Sequence, residues 1–362
     1  MKILCFIDSL DSGGAQRQLI GLASMLKQFY QVEVLSYWNI HFWDEYLINN
    51  GIDFQTITNA NNTITKFYHV YRYFKKYSPD VVISYLGSPC VIACLIRIII
   101  GGKFYLIVSE RNVTQHLTMR EKIRFFLFRW ADVIVPNSYT QTEFIQKHYL
   151  SFSNKVVTIT NFTDTDYFIP NPFNRKMNEI LSILVVGRIS PAKNVLNLIE
   201  AIYILTQNRY KVIVNWVGRP NPEFYYHECM DKLREYKLTD IFRFKEHTNN
   251  ILLEYHNADV FCLPSNYEGY PNVLCEAMSC GLPVLCSNVC DNPEIIEDGK
   301  NGFLFSPLII EDIADKFIKF INLTESEKGK MRHISRLIAK AKFSKDAFLQ
   351  KYVHLISYRN AH

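Results

Sequence analysis

Long apolar runs are missing from this sequence: none reaches the roughly 18 residues that a membrane-spanning helix needs. The nearest stretch, VVISYLGSPCVIACLIRIIIGGKFYLIVSE (81–110), is broken by Gly87, Pro89, Arg97, Gly101, Gly102 and Lys103. It predicts a buried strand, a short helix and a second buried strand. The opening MKILCFIDSLDSGG has neither the long apolar core nor the cleavage site of a signal peptide, so none is expected. The nine cysteines form no C-x-x-C pair and no Cys/His cluster with zinc spacing. Cys5, Cys94, Cys262 and Cys286 sit in apolar runs, as reduced core residues of a cytosolic protein would. Repeats and low-complexity tracts are absent. The formal net charge is only +5. That is too weak to point to nucleic acid, but it is compatible with an anionic substrate or an anionic membrane surface.

What is present is enough for two cores. The chain has 362 residues, 48% of them hydrophobic and 21% charged, which suggests two domains. Short apolar or β-branched runs alternate with helical patterns. In the first half the predicted strands are 2–7, 32–38, 53–58, 80–86, 103–110, 132–138 and 155–160. In the second they are 181–187, 211–218, 241–246, 259–265, 283–288 and 302–305. Strands alternating with helices imply βαβ units and parallel sheets covered on both faces. The expected fold class is therefore α/β, with two doubly wound, Rossmann-like domains facing a central cleft. The joint falls near NFTDTDYFIPNPFNRKMNE (161–179), where periodicity stops and Pro170 and Pro172 break the chain. The expected division is 1–165, 166–342 and a C-terminal amphipathic helix at 343–362. Ligands of doubly wound domains bind beyond the carboxyl ends of the strands.

Three segments fall at such ends. In EGYPNVLCEAMSCGLPV (268–284), Glu268 lies on a loop after a predicted strand, and Pro271 and Asn272 open a helix that Gly281 ends. The N–H groups at Asn272, Val273 and Leu274 form a seat for phosphate. A carboxylate cannot bind phosphate but can accept hydrogen bonds from a diol. The spacing therefore suits a nucleotide sugar, with hexose hydroxyls at Glu268 and ribose at Glu276. By themselves, two glutamates eight apart would be a helix-dipole partner and a surface charge. In VVGRISPAKN (185–194) a strand ends at Gly187 and a helix is expected near Pro191 or Ala192. That places Arg188 as a fork and Lys193 as a point charge for a diphosphate. In SLDSGGAQRQL (9–19), Gly13 and Gly14 let backbone approach a ligand, although no G-x-G-x-x-G is present.

With these residues in view the chain resembles the GT-B retaining glycosyltransferases of family 4, of the type that builds bacterial surface polysaccharides. The resemblance rests on the E-x7-E pair Glu268 and Glu276 and on VGRISPAKN; SLDSGGAQR and NFTDTDYFIP match more loosely. It implies that Arg188 and Lys193 hold the diphosphate and stabilise its departure, and that Glu276 holds the ribose. Glu268, with Gly269, Tyr270, Pro271, Asn272, Val273 and Leu274, would hold the donor sugar. Gly13 and Gly14 would lie near the phosphates. Arg188, Lys193 and Glu268 are the residues expected at the reacting centre, without a protein nucleophile. No metal and no cofactor are expected, the nucleotide sugar being a substrate, and the DTD at 164–166 is linker. Two departures stand out: Cys290 and Asp291 occupy places where family members often have Gly-Gly, with Glu294 retained, and Glu110, Arg111 and Asn112 stand where many carry a His. With His116 these are the acceptor-side candidates.

The resemblance also implies an acceptor site in the first half and a last helix that crosses back to the first domain. MREKIRFFLFRWAD (119–132) reads as a helix whose core face is Ile123, Phe126, Leu127 and Trp130. Phe125 and Phe128 then stand outside with Arg120, Arg124 and Arg129, facing an anionic membrane surface. KFYHVYRYFKKY (66–77) is a second basic, aromatic helix. The expected activity is transfer of a hexose or N-acetylhexosamine from a nucleotide sugar, a UDP-sugar foremost, to a lipid-linked saccharide. The setting would be O-antigen, lipopolysaccharide or capsule synthesis, peripheral on the cytoplasmic face of the inner membrane, without a nucleic-acid partner. The alternatives are a sugar-nucleotide epimerase or phosphorylase on the same fold, and a non-catalytic, membrane-associated sugar-nucleotide-binding subunit.

Overall fold

The computed structural model describes residues 1–57, 62–111, 114, 116–172, 179–246, 248 and 250–358. The chain divides into one unit of Met1–Phe162 with Lys345–His362, and another of Thr163–Ser344.

The first unit runs β1 (Lys2–Phe6), α1 (Gly14–Leu26), β2 (Gln31–Ser36), α2 (Asp44–Asn49), β3 (Asp53–Thr56), α3 (Thr63–Tyr77), β4 (Val81–Tyr85), α4 (Gly87–Ile100), β5 (Tyr105–Glu110), α5 (Met119–Leu127), β6 (Val133–Pro136) and α6 (Tyr139–His148). All strands are parallel, in the order β3-β2-β1-β4-β5-β6. The inner strands β1 and β4 are almost wholly buried, as strands covered by helices on both faces must be. The two sheet faces build two cores. Ile3, Cys5, Val34 and Ile83 pack on one side; Leu4, Phe6, Val82 and Leu106 pack on the other. This alternation along each strand is the period of two expected of a sheet.

The second unit repeats the plan with β7 (Leu181–Val186), α7 (Val195–Gln207), β8 (Val212–Val217), α8 (Glu223–Glu235), β9 (Phe242–Lys245), α9 (Ile251–His256), β10 (Val260–Leu263), α10 (Asn272–Ser279), β11 (Val284–Ser287), α11 (Asn292–Ile295), β12 (Gly302–Phe305), α12 (Ile310–Ile321) and α13 (Glu325–Phe343). Its parallel strand order is β12-β11-β10-β7-β8-β9. At the ends of β7 and β8 the backbones nearly touch: a Cβ on Gly218 would lie 2.0 Å from the Gly187 carbonyl oxygen. That same oxygen accepts a hydrogen bond from Trp216 Nε1 at 2.8 Å. The close approach requires glycine at 218.

The last helix, α14 (Lys345–Tyr358), belongs to the first unit. Phe348, Tyr352, Leu355 and Ile356 enter the core beside α1 and Phe162. Tyr352 Oη lies 2.8 Å from Tyr85 Oη at the end of β4.

Four sequence expectations are corrected. Residues 155–160 form no strand, because the chain there makes only one isolated bridge, between Ile134 and Val156. The helix expected at Pro191 or Ala192 is a single 3-10 turn, Pro191–Lys193; α7 starts at Val195, after Asn194 turns into the left-handed region at φ 57°. Asn272 is the first helical residue of α10, and Pro271 occupies the N-cap position without a side-chain cap. On α5 the faces are reversed: Phe125 and Phe128 are fully buried, while Met119, Ile123 and Phe126 are exposed. The buried side is set by an aromatic nest in which Phe125 meets Phe128 and Tyr149. Arg124 turns inward with Phe125, whereas Arg120 and Arg129 remain exposed.

Candidate functional site

In the second unit the loops after β7 and β10 are stapled together. The Asn266 backbone N–H donates to Ala192 O at 2.9 Å, and its side-chain amide donates to Pro191 O at 3.1 Å. The staple brings Lys193 Nζ onto Glu268 Oε1 in an ion pair. Ser265 Oγ donates to the same oxygen at 2.6 Å. The Glu268 side chain is only 11% exposed, so its charge depends on these partners more than a surface carboxylate would. The Lys193 stem passes Gly187, where a Cβ would lie 3.5 Å from Lys193 Cε, an ordinary contact. Arg188, next along, is exposed.

The start of α10 follows that loop directly. Tyr270, Pro271 and Leu274 are buried, whereas Gly269, Asn272 and Val273 are partly open. The N-cap residue Pro271 supplies no side-chain cap, and Leu274 N–H donates to Pro271 O at 3.2 Å. Glu276, one turn on, is buried, and its Oε2 accepts a hydrogen bond from Tyr255 Oη of α9 at 2.9 Å. The C-terminal end closes on Gly281 at φ 76°, with Leu282 N–H donating to Ala277 O at 3.0 Å, a glycine-terminated helix end. Cys290 also adjoins this loop: it adopts a left-handed φ of 49° and hydrogen-bonds the Glu268 backbone.

Lys193, Glu268 and the α10 start thus form one cluster, with Glu276 on the same helix and Arg188 at the end of the same strand as the Lys193 turn. Sequence reasoning missed Ser265, Asn266 and Tyr255. The first two lie just ahead of the EGYPNVLCEAMSCGLPV segment and carried no spacing signal, and Tyr255 lies 21 residues from its carboxylate partner.

In the first unit Gly13 is the N-cap of α1 and leads into Gly14. Gln16 Nε2 reaches back to Asp8 Oδ1 at 3.2 Å and Ser9 Oγ at 3.3 Å. Burial pushes the Asp8 carboxyl up, against the lowering pull of hydrogen bonds from Ser9 and Gln16. Of the acceptor-side candidates, Asn112 lies outside the described residues and His116 is exposed. Arg111 is buried over the Tyr85 ring at 3.8 Å and donates to Asn161 Oδ1 at 2.9 Å and Tyr352 Oη at 3.0 Å, so it ties β5 to α14. Glu110 is fully enclosed at the end of β5. Its Oε2 pairs with Arg124 Nη2 at 3.2 Å, and its Oε1 has no partner among the described residues.

Burial pushes the Glu110 carboxyl up to about 7, with Arg124 opposing and Glu121 adding to the rise. An unfolded glutamate titrates near 4.3. Between about pH 4.5 and 7 the folded protein holds a proton that the unfolded chain has released, so stability falls as pH rises through that window. The expected size is about 1–3 kcal/mol. The parent's melting temperature should decline from pH 5 to pH 8, and Glu110→Gln should flatten that decline. Equal pH slopes in both proteins would refute the assignment.

Residues 170–336 match the family described as glycosyl transferases group 1. Over 324 residues the chain is 26% identical to the GalNAc-alpha-(1->4)-GalNAc-alpha-(1->3)-diNAcBac-PP-undecaprenol alpha-1,4-N-acetyl-D-galactosaminyltransferase of Campylobacter jejuni, covering 84% of each protein. It is also 26% identical to the amylovoran biosynthesis glycosyltransferase AmsD of Erwinia amylovora, over 82% of this chain and 84% of that one. Among solved structures, Anabaena Alr3699/HepE in complex with UDP superposes with a TM-score of 0.87 at 21% identity, covering 99% of this chain and 100% of that one. A glycosyltransferase from Rickettsia africae gives 0.85 at 19% identity, over 98% and 97%. The fold is that of the GT-B glycosyltransferases, and residues 170–336 carry the match to the glycosyl transferases group 1.

Proposed function

We propose that this protein is a retaining, metal-independent glycosyltransferase of family 4. It would move a hexose or N-acetylhexosamine from a UDP-sugar to a lipid-linked saccharide during synthesis of a bacterial surface polysaccharide. The observation that carries the reading is the Lys193–Glu268 pair, set with Ser265 beside the start of α10. Helix N–H groups and cations there suit a diphosphate, while the carboxylates suit hydroxyls. In this reading Glu268 accepts hydrogen bonds from the donor sugar. The α10 start, Arg188 and Lys193 hold the diphosphate, and Glu276, oriented by Tyr255, accepts the ribose hydroxyls. The bond from the anomeric carbon to the diphosphate breaks, and the negative charge that develops on the leaving group meets donors already in place. The acceptor oxygen attacks on the same face, and its proton passes to the departing diphosphate. The relative from Campylobacter acts on a saccharide carried by PP-undecaprenol, which supports a lipid-linked acceptor here.

The membrane part of the reading now rests on different residues. Met119, Ile123 and Phe126 of α5 are exposed among Arg120, Lys122 and Arg129, an apolar edge in a basic setting that suits an anionic bilayer surface. No helix among the described residues is long and apolar enough to cross a membrane.

The test is a thermal-shift screen with UDP, GDP, ADP and their common sugar conjugates, each with and without EDTA. At a hundredfold excess over Kd, one ligand adds about 2.7 kcal/mol, which should raise Tm by roughly 5–10 °C. A UDP-sugar is expected to give that shift in the presence of EDTA. No shift with any nucleotide would end the transferase reading, and a shift abolished by EDTA would end metal independence. Cosedimentation with phosphatidylglycerol vesicles, lost in Ile123→Asp/Phe126→Asp, checks the membrane edge.

A further inference from the structure

The segment from Tyr37 to Tyr46 follows β2 and is fastened along the residues that follow β1. Tyr37 N–H and Trp38 N–H both donate to Asp8 O, at 3.1 and 2.8 Å. Leu10 and His41 form a β-bridge. Trp43 Nε1 donates to Asp11 O at 2.8 Å. The segment is therefore held in place at the carboxyl edge of the first sheet, beside the Gly13–Gly14 turn, where doubly wound folds take their ligands.

Although anchored, it turns large rings outward. Trp38 is 52% exposed and Phe42 63%, and Ile40 and Tyr46 are exposed as well. Trp43 braces this surface from below, edge-on to Phe42 at 5.4 Å and to Tyr46 at 5.5 Å. The Lys66 ammonium sits over one Trp38 face at 3.4 Å. Polar acceptors are interleaved with the rings. Asp44 Oδ2 takes His41 Nδ1 at 2.8 Å, while its Oδ1 is buried. Glu45 and Asp11 are exposed.

This composition discriminates between occupants. Exposed aromatic clusters mark interaction surfaces. An anionic bilayer would be repelled by Asp11, Asp44 and Glu45, which outnumber the Lys66 ammonium held against Trp38. In this respect the segment is the opposite of α5. Rings that can lie against the C–H face of a pyranose, flanked by carboxylates that accept hydroxyls, suit a neutral sugar. They supply the mix of apolar wall and few polar groups that fixes a small polyol. We infer that Trp38, Phe42 and Tyr46, flanked by Asp11 and Glu45, form a saccharide-binding platform. Taking that saccharide as the sugar portion of the acceptor rests on the transferase reading above; the platform itself does not.

Saturation-transfer difference NMR on the whole protein tests it, with N,N′-diacetylchitobiose, maltose and lactose as probes. Saturation is expected at the ring C–H protons of at least one disaccharide. It should fall at least fivefold in Trp38→Ala/Phe42→Ala and be largely retained in Trp38→Phe, with the melting temperatures of all three proteins within a few degrees. No signal from the parent with any of the three, or an undiminished signal in the double alanine variant, would overturn the platform. Loss of phosphatidylglycerol-vesicle binding in that variant with the sugar signal intact would assign the patch to membrane and overturn it too. The nucleotide screen is separate. Nucleotide binding without a sugar signal removes only the platform, and a sugar signal without nucleotide binding removes the transferase reading while the platform stands.

Discussion

Lys193→Ala is expected to lower the rate of sugar transfer by about 10²–10³-fold, the effect of deleting one preorganised group that meets developing charge in a transition state. Two losses coincide in this variant. The leaving diphosphate loses a point charge, and Glu268, which is mostly buried, loses the cation that pairs with it. Removing one member of such a pair leaves an uncompensated carboxylate, so Tm should drop as well. Lys193→Arg keeps the charge but not the compact ammonium, and should recover part of the rate. The measurement is nucleoside diphosphate release with the donor that the thermal screen identifies. A rate within threefold of the parent in Lys193→Ala would remove this residue from the reacting centre.

Glu276→Gln should weaken donor binding about 10–100-fold, because a hydrogen bond to a charged group contributes roughly 1.5–3 kcal/mol. The substitution is close to isosteric, and the glutamine carbonyl can still accept from Tyr255 Oη, so the helix should survive. Tyr255→Phe is the companion: it leaves the carboxylate charged but removes the bond that orients it. It should weaken binding less. Calorimetric titration with UDP reads both. UDP affinity in Glu276→Gln equal to the parent's would show that this carboxylate does not hold the ribose.

The architecture was legible because a parallel sheet writes itself into sequence as short apolar runs separated by helical periods. All six runs read in the second half are strands of one sheet. The seventh run of the first half, 155–160, has the same composition, yet a strand also needs a neighbour to pair with, and that lies outside the segment itself. The face of α5 failed for a related reason. Ile123, Phe125 and Phe126 all lie in the continuous part of α5, and a wheel cannot show which side the rest of the unit covers. Phe125 and Phe128 are three apart and share the buried side, held by Tyr149 from beyond the next strand.

The donor cluster shows the same boundary. Glu268, Glu276, Arg188 and Lys193 could be picked out because local spacing around strand ends and a helix start carries chemical meaning. The Lys193–Glu268 contact could not, since 75 residues separate the partners and the pairing of β7 with β10, with the Asn266 staple, brings them together. Glu110 was picked out as a position, but its enclosure and its pairing with Arg124 depend on how α5 packs.

The return of α14 has a consequence for biosynthesis. Phe348, Tyr352, Leu355 and Ile356 complete a core whose other buried members all precede residue 163. A nascent chain therefore carries an unfinished first unit throughout synthesis of the whole second one, with the seat of α14 open to water and to chaperones. The part made first is completed last, and a premature stop anywhere in the final helix would spoil the opposite end of the chain from the one it truncates.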